Sequence, residues 1–125
     1  MYIDELLAVD FTITPPYPLV IVIPASVVPK MFLQKNADAI AQMGVDMGIT
    51  NYVAPATRLD RLSDIRQIVG KDAYIISPGV GKQGGDGKKT LEYSNAIIVG
   101  RSIYESDNPK EACEELIESL NLPSL

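Results

Sequence analysis

The sequence has 125 residues, with 46% hydrophobic and 22% charged side chains, which is typical of one folded domain and excludes a disordered chain. The formal net charge of −5 argues against nucleic acid as a partner, because a polyphosphate backbone binds basic surfaces. There is no histidine and one cysteine, which excludes a Ser-His-Asp triad, a histidine-ligated metal and an intrachain disulfide.

Strands and helices alternate along most of the chain. Runs of β-branched residues predict buried strands, and apolar residues spaced by three or four predict helices with one buried side. The strands are expected near 19–23, 51–55, 73–76 and 96–99, and the helices near 30–48, 59–69 and 108–120. Residues 1–18 are expected to be an irregular N-terminal segment or a remodelled join, since three of residues 14–18 are proline, and Leu6–Asp10 is either an extra strand or a helical turn.

The first predicted helix carries an apolar stripe and an end signal. Met31, Ile40, Met43 and Met47 recur at helical spacing, and we interpret this stripe as core and not as a cofactor site. Gly48 follows the last of them and is expected to cap the helix.

The later helices carry signals at their first turns. Thr57 with Asp60 three residues later fits a capping box for the second helix, with Arg58 between them. Pro109 and Glu111 are well placed in the first turn of the last helix.

The repeated βα pattern predicts the fold. Four βα units imply parallel strands joined by helical crossovers. A complete (β/α)₈ barrel needs about 250 residues, so residues 1–125 are predicted to be a single α/β domain, half of a TIM-type barrel. Open strand edges are unfavourable, so the units are expected to close against another copy, as a homodimer or higher homo-oligomer, or to form a small open sheet.

The strongest local signal for chemistry is a glycine-rich loop after the third strand, followed by a Gly-Arg pair after the fourth. Glycines allow close approach of backbone N–H groups to an anion, and arginine binds phosphate through two hydrogen bonds. The candidate binding residues are Pro78, Gly79, Val80, Gly81, Lys82, Gln83, Gly84, Gly85, Asp86, Gly87, Lys88, Gly100 and Arg101. The alternative is a flexible connector with Arg101 as a surface charge.

Other candidates are weaker. Asp10 ends a possible strand, and Ser26 lies just beyond the first predicted strand, so either can contact a ligand or be an ordinary loop residue. No metal-ligand spacing and no cofactor motif are present. An unpaired cysteine, Cys113, and the lack of a membrane span or a basic signal sequence predict a cytoplasmic protein without a membrane partner.

These loops resemble those of archaeal-type orotidine 5′-monophosphate decarboxylase. The resemblance rests on Ile-Ser-Pro-Gly-Val-Gly-Lys-Gln-Gly-Gly-Asp at 76–86 and Ala-Ile-Ile-Val-Gly-Arg-Ser-Ile-Tyr at 96–104. It continues in Asp-Asn-Pro-Lys-Glu at 107–111 and Tyr-Val-Ala-Pro-Ala-Thr-Arg at 52–58. Residues 30–120 are similar to the last third to half of that enzyme, without most of the N-terminal half of the barrel.

The resemblance implies a ligand and roles for the loop residues. The loop 78–88 and the Gly100-Arg101 pair would hold a phosphate, and Gln83 would bridge phosphate and pyrimidine. The ligand would be phosphate or a pyrimidine nucleoside monophosphate such as UMP. Ser26 is the nearest equivalent of a serine that contacts the base, and Asp10 of an aspartate that contacts the ribose.

The same resemblance implies that the catalytic residues are missing. The family places a lysine between two aspartates in an Asp-x-Lys-x-x-Asp pattern, which does not occur in this sequence. We therefore expect a retained phosphate site with little or no activity of the chain alone. The alternatives are an active decarboxylase, completed by a partner chain or by Asp10, Lys30 and Asp38, and a structural fragment with no enzymatic role.

Overall fold

The structure is a computed structural model that describes residues 20–22 and 32–121, with side chains from residue 36 onward. The elements in chain order are β1 (Val20–Val22), α1 (Phe32–Asp46), β2 (Asn51–Val53), α2 (Leu59–Val69), β3 (Tyr74–Pro78), α3 (Gly87–Thr90), β4 (Ala96–Ile98), α4 (Arg101–Tyr104) and α5 (Pro109–Ser119). The four predicted strands and three long helices are confirmed, and the short helices α3 and α4 were not predicted.

The four strands form one parallel sheet in the order β1-β2-β3-β4. Each strand pairs with the next along the chain. Ile21 of β1 is paired with Tyr52 of β2, which is paired in turn with Ile75 of β3. Because every connection runs in the same sense, all carboxyl ends of the strands meet at one edge of the sheet.

Helices α1 and α2 cover one face of the sheet. Tyr52 and Ile75 point into this layer and are buried, while Tyr74 and Ile98 on the opposite face are exposed. The buried core cluster consists of Ala37, Ala41, Ile49, Tyr52, Ala54, Leu62, Ile65, Ala73 and Ile75. A sheet with helices on one face and an uncovered second face, among the described residues, has the layering of half a barrel.

The prediction that the methionine stripe of α1 is core is wrong for Met43 and Met47, whereas Ile40 of the same stripe packs against the core. Met43 is 49% exposed and Met47 is 44% exposed, and the side that packs inward consists of Ala37, Ala41 and Gly44. Small residues allow α1 to pack closely on its neighbours, and apolar spacing alone does not reveal which of two adjoining stripes does so. Met31 lies outside the described residues.

The predicted glycine cap of α1 is confirmed. The N–H of Ile49 donates to the carbonyl of Gly44, and that of Gly48 to Val45, with Gly48 at a φ of +74°. This pair of bonds satisfies carbonyls at the helix end that would otherwise lack partners. The left-handed φ explains why glycine occupies the position.

The predicted capping box at Thr57 is wrong. The N-cap position of α2 is occupied by Arg58 and not by Thr57. No side chain accepts a hydrogen bond from the free backbone N–H groups of the first turn. The carboxylate of Asp60 instead accepts from the Arg58 guanidinium at 2.8 and 3.1 Å. This hydrogen bond lowers the pKa of Asp60 to about 2, since a donor to the carboxylate favours its charged form.

Replacing Asp60 with asparagine is expected to lower the free energy of unfolding at pH 7 by less than about 1 kcal/mol, because the ion pair is exposed. The folded-state pKa of about 2 lies below the ordinary value of 3.8. The stabilisation is therefore present above pH 4 and is lost as the pH falls toward 2. Urea unfolding of D60N and of the exposed control D72N at both pH values tests this. A D60N deficit that is as large at pH 2 as at pH 7 contradicts it.

Arg66 connects the end of α2 to the start of β3 and β4. Its guanidinium donates at 2.7 to 3.0 Å to the carbonyls of Tyr93, Gly70 and Ala73 and to the side-chain oxygen of Asn95. Asn95 also exchanges hydrogen bonds with the backbone of Ile75. Partial burial lowers the pKa of Arg66, but an arginine with four acceptors stays protonated.

The variant R66A is expected to lose about 2 kcal/mol of folding free energy, because three backbone carbonyls and one amide lose a charged donor. Urea unfolding measures the loss, with Q67A on the exposed neighbouring position as the matched control. The variant R66K should fall between R66A and the wild type, because lysine cannot reach all four acceptors. A loss in R66A no larger than that in Q67A would show that the network contributes nothing.

Candidate functional site

A cleft of about 210 Å³ lies at the carboxyl ends of β3 and β4. Its walls come from the loop after β3 and from the first turn of α4. The lining residues are Pro78, Gly79, Val80, Lys82, Gln83, Ile98, Gly100, Arg101 and Tyr104. The two loops that carry the sequence signal therefore meet at one place, as parallel neighbouring strands require.

The glycine loop after β3 is held by its own backbone. Gly85 donates to the carbonyl of Gly79 at 3.0 Å, Gly81 donates to that of Gly85 at 3.0 Å, and Gly84 donates to that of Gly81 at 2.7 Å. Gly79, Gly81 and Gly84 have φ values of +95°, +83° and +95°, which only glycine adopts readily. This closed set of hydrogen bonds argues against a flexible connector.

The glycine loop also docks onto α4. The backbone N–H of Lys82 donates to the hydroxyl of Ser102 at 3.1 Å, and its ammonium contacts the carboxylate of Glu105 at 2.6 Å. A Cβ atom at Gly81 would collide with that same hydroxyl. The hydrogen bond from Lys82 holds the pKa of Glu105 below its usual range. The two walls of the cleft are thus fixed to each other by polar contacts.

Arg101 and Gln83 supply the polar groups that face the cleft. Arg101 is exposed and makes none of the ion pairs found among the described residues, although its charge helps Lys82 to lower the pKa of Glu105. Lys82, in contrast, is already paired with Glu105. The cleft therefore offers one free guanidinium and one side-chain amide beside glycine backbone, a combination that suits an oxyanion.

The far half of the predicted binding loop does not line the cleft. Gly84, Gly85, Asp86, Gly87 and Lys88 are absent from its walls. Asp86 caps α3, because its carboxylate accepts from the backbone N–H of Lys89 at 3.1 Å. The part of these residues in ligand binding stays a prediction.

The remaining predicted candidates lie elsewhere. The carboxylate of Asp38 accepts from Arg61 at 2.6 Å, on the outer helical layer, so Asp38 is not available to replace a catalytic residue. Asp10, Ser26 and Lys30 lie outside the described residues. Among the described residues, no group of three or more metal-ligating side chains is placed to hold an ion.

Four residues of the site were not recognised from the sequence. Ile98 and Tyr104 line the cleft, and Ser102 and Glu105 fix the glycine loop. Two of them could have been predicted from their spacing. Tyr104 and Glu105 follow Arg101 by three and four residues, so in a helical turn they lie on the same side as Arg101. Ile98 shows no such signal, since it is one of several apolar residues in the strand.

The parallel βα units and the cleft at the carboxyl ends of the strands define a relative of the α/β barrels, whose sites lie at this edge. The family model described as "Orotidine 5'-phosphate decarboxylase / HUMPS family" matches residues 25–116. The chain belongs to this family. The half-barrel prediction and the resemblance drawn from the two loops are confirmed.

Individual relatives agree with this assignment. Orotidine 5′-phosphate decarboxylase of Methanosphaera stadtmanae is 66% identical over 91 residues, which cover 73% of this chain and 42% of that protein. The corresponding protein of Methanococcoides burtonii is 46% identical over 91 residues, covering 72% of this chain and 42% of that protein. The chain therefore spans about two fifths of the length of these relatives.

Solved structures show the same partial match. The crystal structure of orotidine 5′-phosphate decarboxylase from Pyrococcus horikoshii OT3 superposes with a TM-score of 0.72 at 27% identity, over 83% of this chain and 51% of that one. The enzyme from Methanocaldococcus jannaschii complexed with inhibitor BMP gives a TM-score of 0.72 at 36% identity, over 83% and 50%. Among the described residues, no helix is long and apolar enough to cross a membrane.

Proposed function

We propose that the cleft binds the phosphate group of a pyrimidine nucleoside monophosphate. The observation that carries the proposal is the free guanidinium of Arg101 beside the glycine loop, at the carboxyl ends of adjacent strands. A phosphate dianion would accept two hydrogen bonds from Arg101 and further ones from Gln83 and the loop backbone. The similar enzyme from Methanocaldococcus jannaschii is complexed with the inhibitor BMP, which supports a ligand site in this family.

We also infer that the chain alone has little or no decarboxylase activity. The sequence lacks the Asp-x-Lys-x-x-Asp pattern of the family, and Asp38 is committed to Arg61. A chemical step that depends on several charges acting together is lost when the set is missing. The chain would then act in pyrimidine nucleotide metabolism as a binding protein, or as part of an enzyme whose catalytic residues come from another chain.

Two further properties belong to this proposal. The chain works as a homodimer or higher homo-oligomer, because the four strands of its described part are too few to close a barrel. Its location is the cytoplasm, which is supported by a single cysteine that has no partner for an intrachain disulfide.

A calorimetric titration with uridine 5′-monophosphate, repeated with uridine, tests the binding proposal. Binding of the nucleotide without binding of the nucleoside is expected, because both cations that line the cleft in the described part of the chain, Lys82 and Arg101, favour an anion. Inorganic phosphate should compete with the nucleotide. No heat with the nucleotide from a folded sample, or equal heats with nucleotide and nucleoside, overturns the proposal and leaves the structural fragment as the better explanation.

A further inference from the structure

The sheet has an open edge on each side within the part of the chain that the structure describes. Strand β1 pairs with β2 alone, and strand β4 pairs with β3 alone. Both outer strands are three residues long and run parallel to the rest. Unpaired N–H and C=O groups along such edges favour pairing with a further strand.

Helix α1, which follows the open strand β1, has an unpartnered apolar side. Asp38 marks the side that faces α2, because it pairs with Arg61 of that helix. Met47 follows Asp38 by nine residues, or half a turn around the helix at about 100° per residue. Met43 and Met47 therefore lie on the side away from α2, and both are nearly half exposed.

Helix α5, which follows the open strand β4, has a matching apolar stripe. Its members are Ala112, Cys113, Leu116 and Ile117, continued by Leu120, and none of them is fully buried. The carboxyl end of the stripe lies near β4, since the side chains of Leu120 and of Ile97 in β4 both approach Gly87. The residues of the stripe are partly buried, and α4 is the described helix that packs most on α5.

We propose that a second copy of this chain covers both surfaces and closes an eight-stranded barrel. Parallel eight-stranded barrels have an interior that side chains can fill, so two four-stranded sheets supply the required number. The edge of β4 in one copy would pair with the edge of β1 in the other, and a two-fold axis along the barrel would repeat the contact.

The helices fit this arrangement. In a βα barrel each helix packs between its own strand and the next, so α5 of one copy would lie against α1 of the other. The side of α1 that meets it carries Ala39, Met43 and Met47, with Gln42 and Asp46 hydrogen-bonded to each other at its outer border. Methionine side chains adapt well to such a contact.

A second copy also accounts for the number of strands that a closed barrel needs. The solved relatives are about twice as long as the region that they share with this chain. A second copy offers edges of the correct polarity and the complementary helix stripe together. Cover by residues 1–19, or by a different chain, is an outcome that the test below distinguishes.

Light scattering and sedimentation equilibrium measure the association. The wild type is expected at twice the chain mass of 13.6 kDa. The variants M43E and L116K should each weaken association about a hundredfold, because a charge is buried without a partner. At low salt, the double variant M43E/L116K should associate at least tenfold more tightly than either single variant. In the proposed barrel the introduced carboxylate of one copy would lie on the helix that faces the introduced ammonium of the other, while within one chain α1 packs on α2 and α5 packs on α4.

The matched control is V45E, on the side of α1 nearer to α2, where Val45 is 38% exposed. It should leave the mass unchanged. Circular dichroism shows whether each variant folds, and rescue in the double variant cannot arise from misfolding. A monomeric wild type at millimolar concentration, or a dimer indifferent to M43E and L116K, overturns the proposal. The proposal deepens the homo-oligomer part of the proposed function, and because the test does not use nucleotide, its result is independent of the proposed nucleotide binding.

Discussion

The variant R101A is expected to bind uridine 5′-monophosphate about a hundredfold more weakly than the wild type, as measured by calorimetric titration. Arg101 has no ion pair with any described carboxylate, so its guanidinium is free for a phosphate. Two charge-assisted hydrogen bonds from one arginine are each worth about 1.5 to 3 kcal/mol, and part of this is offset by removing water from both partners.

The controls separate a specific contact from a general loss of charge. The variant K71A removes the same charge from an exposed lysine that is neither in the glycine loop nor in the lining of the cleft, and it should change affinity less than threefold. The variant K82A should have an intermediate effect, because that ammonium is already shared with Glu105. The variant R101K should recover only part of the affinity, since lysine cannot form a bidentate contact. A K71A loss equal to that of R101A would show that only long-range charge matters.

The sequence predicted the elements better than their packing. Strands were located from runs such as Ala96–Ile98, because β-branched residues between glycine and polar residues leave little choice of structure. The buried side of α1 was not located, since Ala37 and Ala41 and the methionines both recur at helical spacing. Which stripe packs inward depends on how closely α2 approaches, and that distance is a tertiary property.

The contacts that individual carboxylates make could not be predicted from the sequence either. Asp60 lies at the right spacing for a capping box, but Arg58 competes for its carboxylate two residues away. Asp86 is a predicted member of the binding loop, and its carboxylate caps α3, a contact that the sequence did not reveal. Composition and spacing therefore located the glycine loop and Arg101 but did not separate residues that face the cleft from residues that build it.

A residue that builds the loop provides the second large effect. The variant G85A is expected to lose about 3 kcal/mol of folding free energy and at least tenfold in affinity for uridine 5′-monophosphate. A Cβ atom at Gly85 would stand 2.6 Å from the carbonyl oxygen of Gly79 and 2.9 Å from the Cβ of Ala56. That same carbonyl accepts the N–H of Gly85, so the hydrogen bond that closes the loop would be displaced together with Gly79 at the cleft.

Urea unfolding and the nucleotide titration measure the two effects, and neighbouring residues supply the controls. The variant G84A meets no atom within 4 Å but has a φ of +95°, so it should lose only about 1 to 2 kcal/mol from backbone strain. The double variant G85A/A56G removes one of the two close contacts, so adding A56G should be less destabilising in the G85A background than in the wild type. If G85A is no more destabilising than G84A, the close packing of Gly85 against Gly79 does not hold the loop.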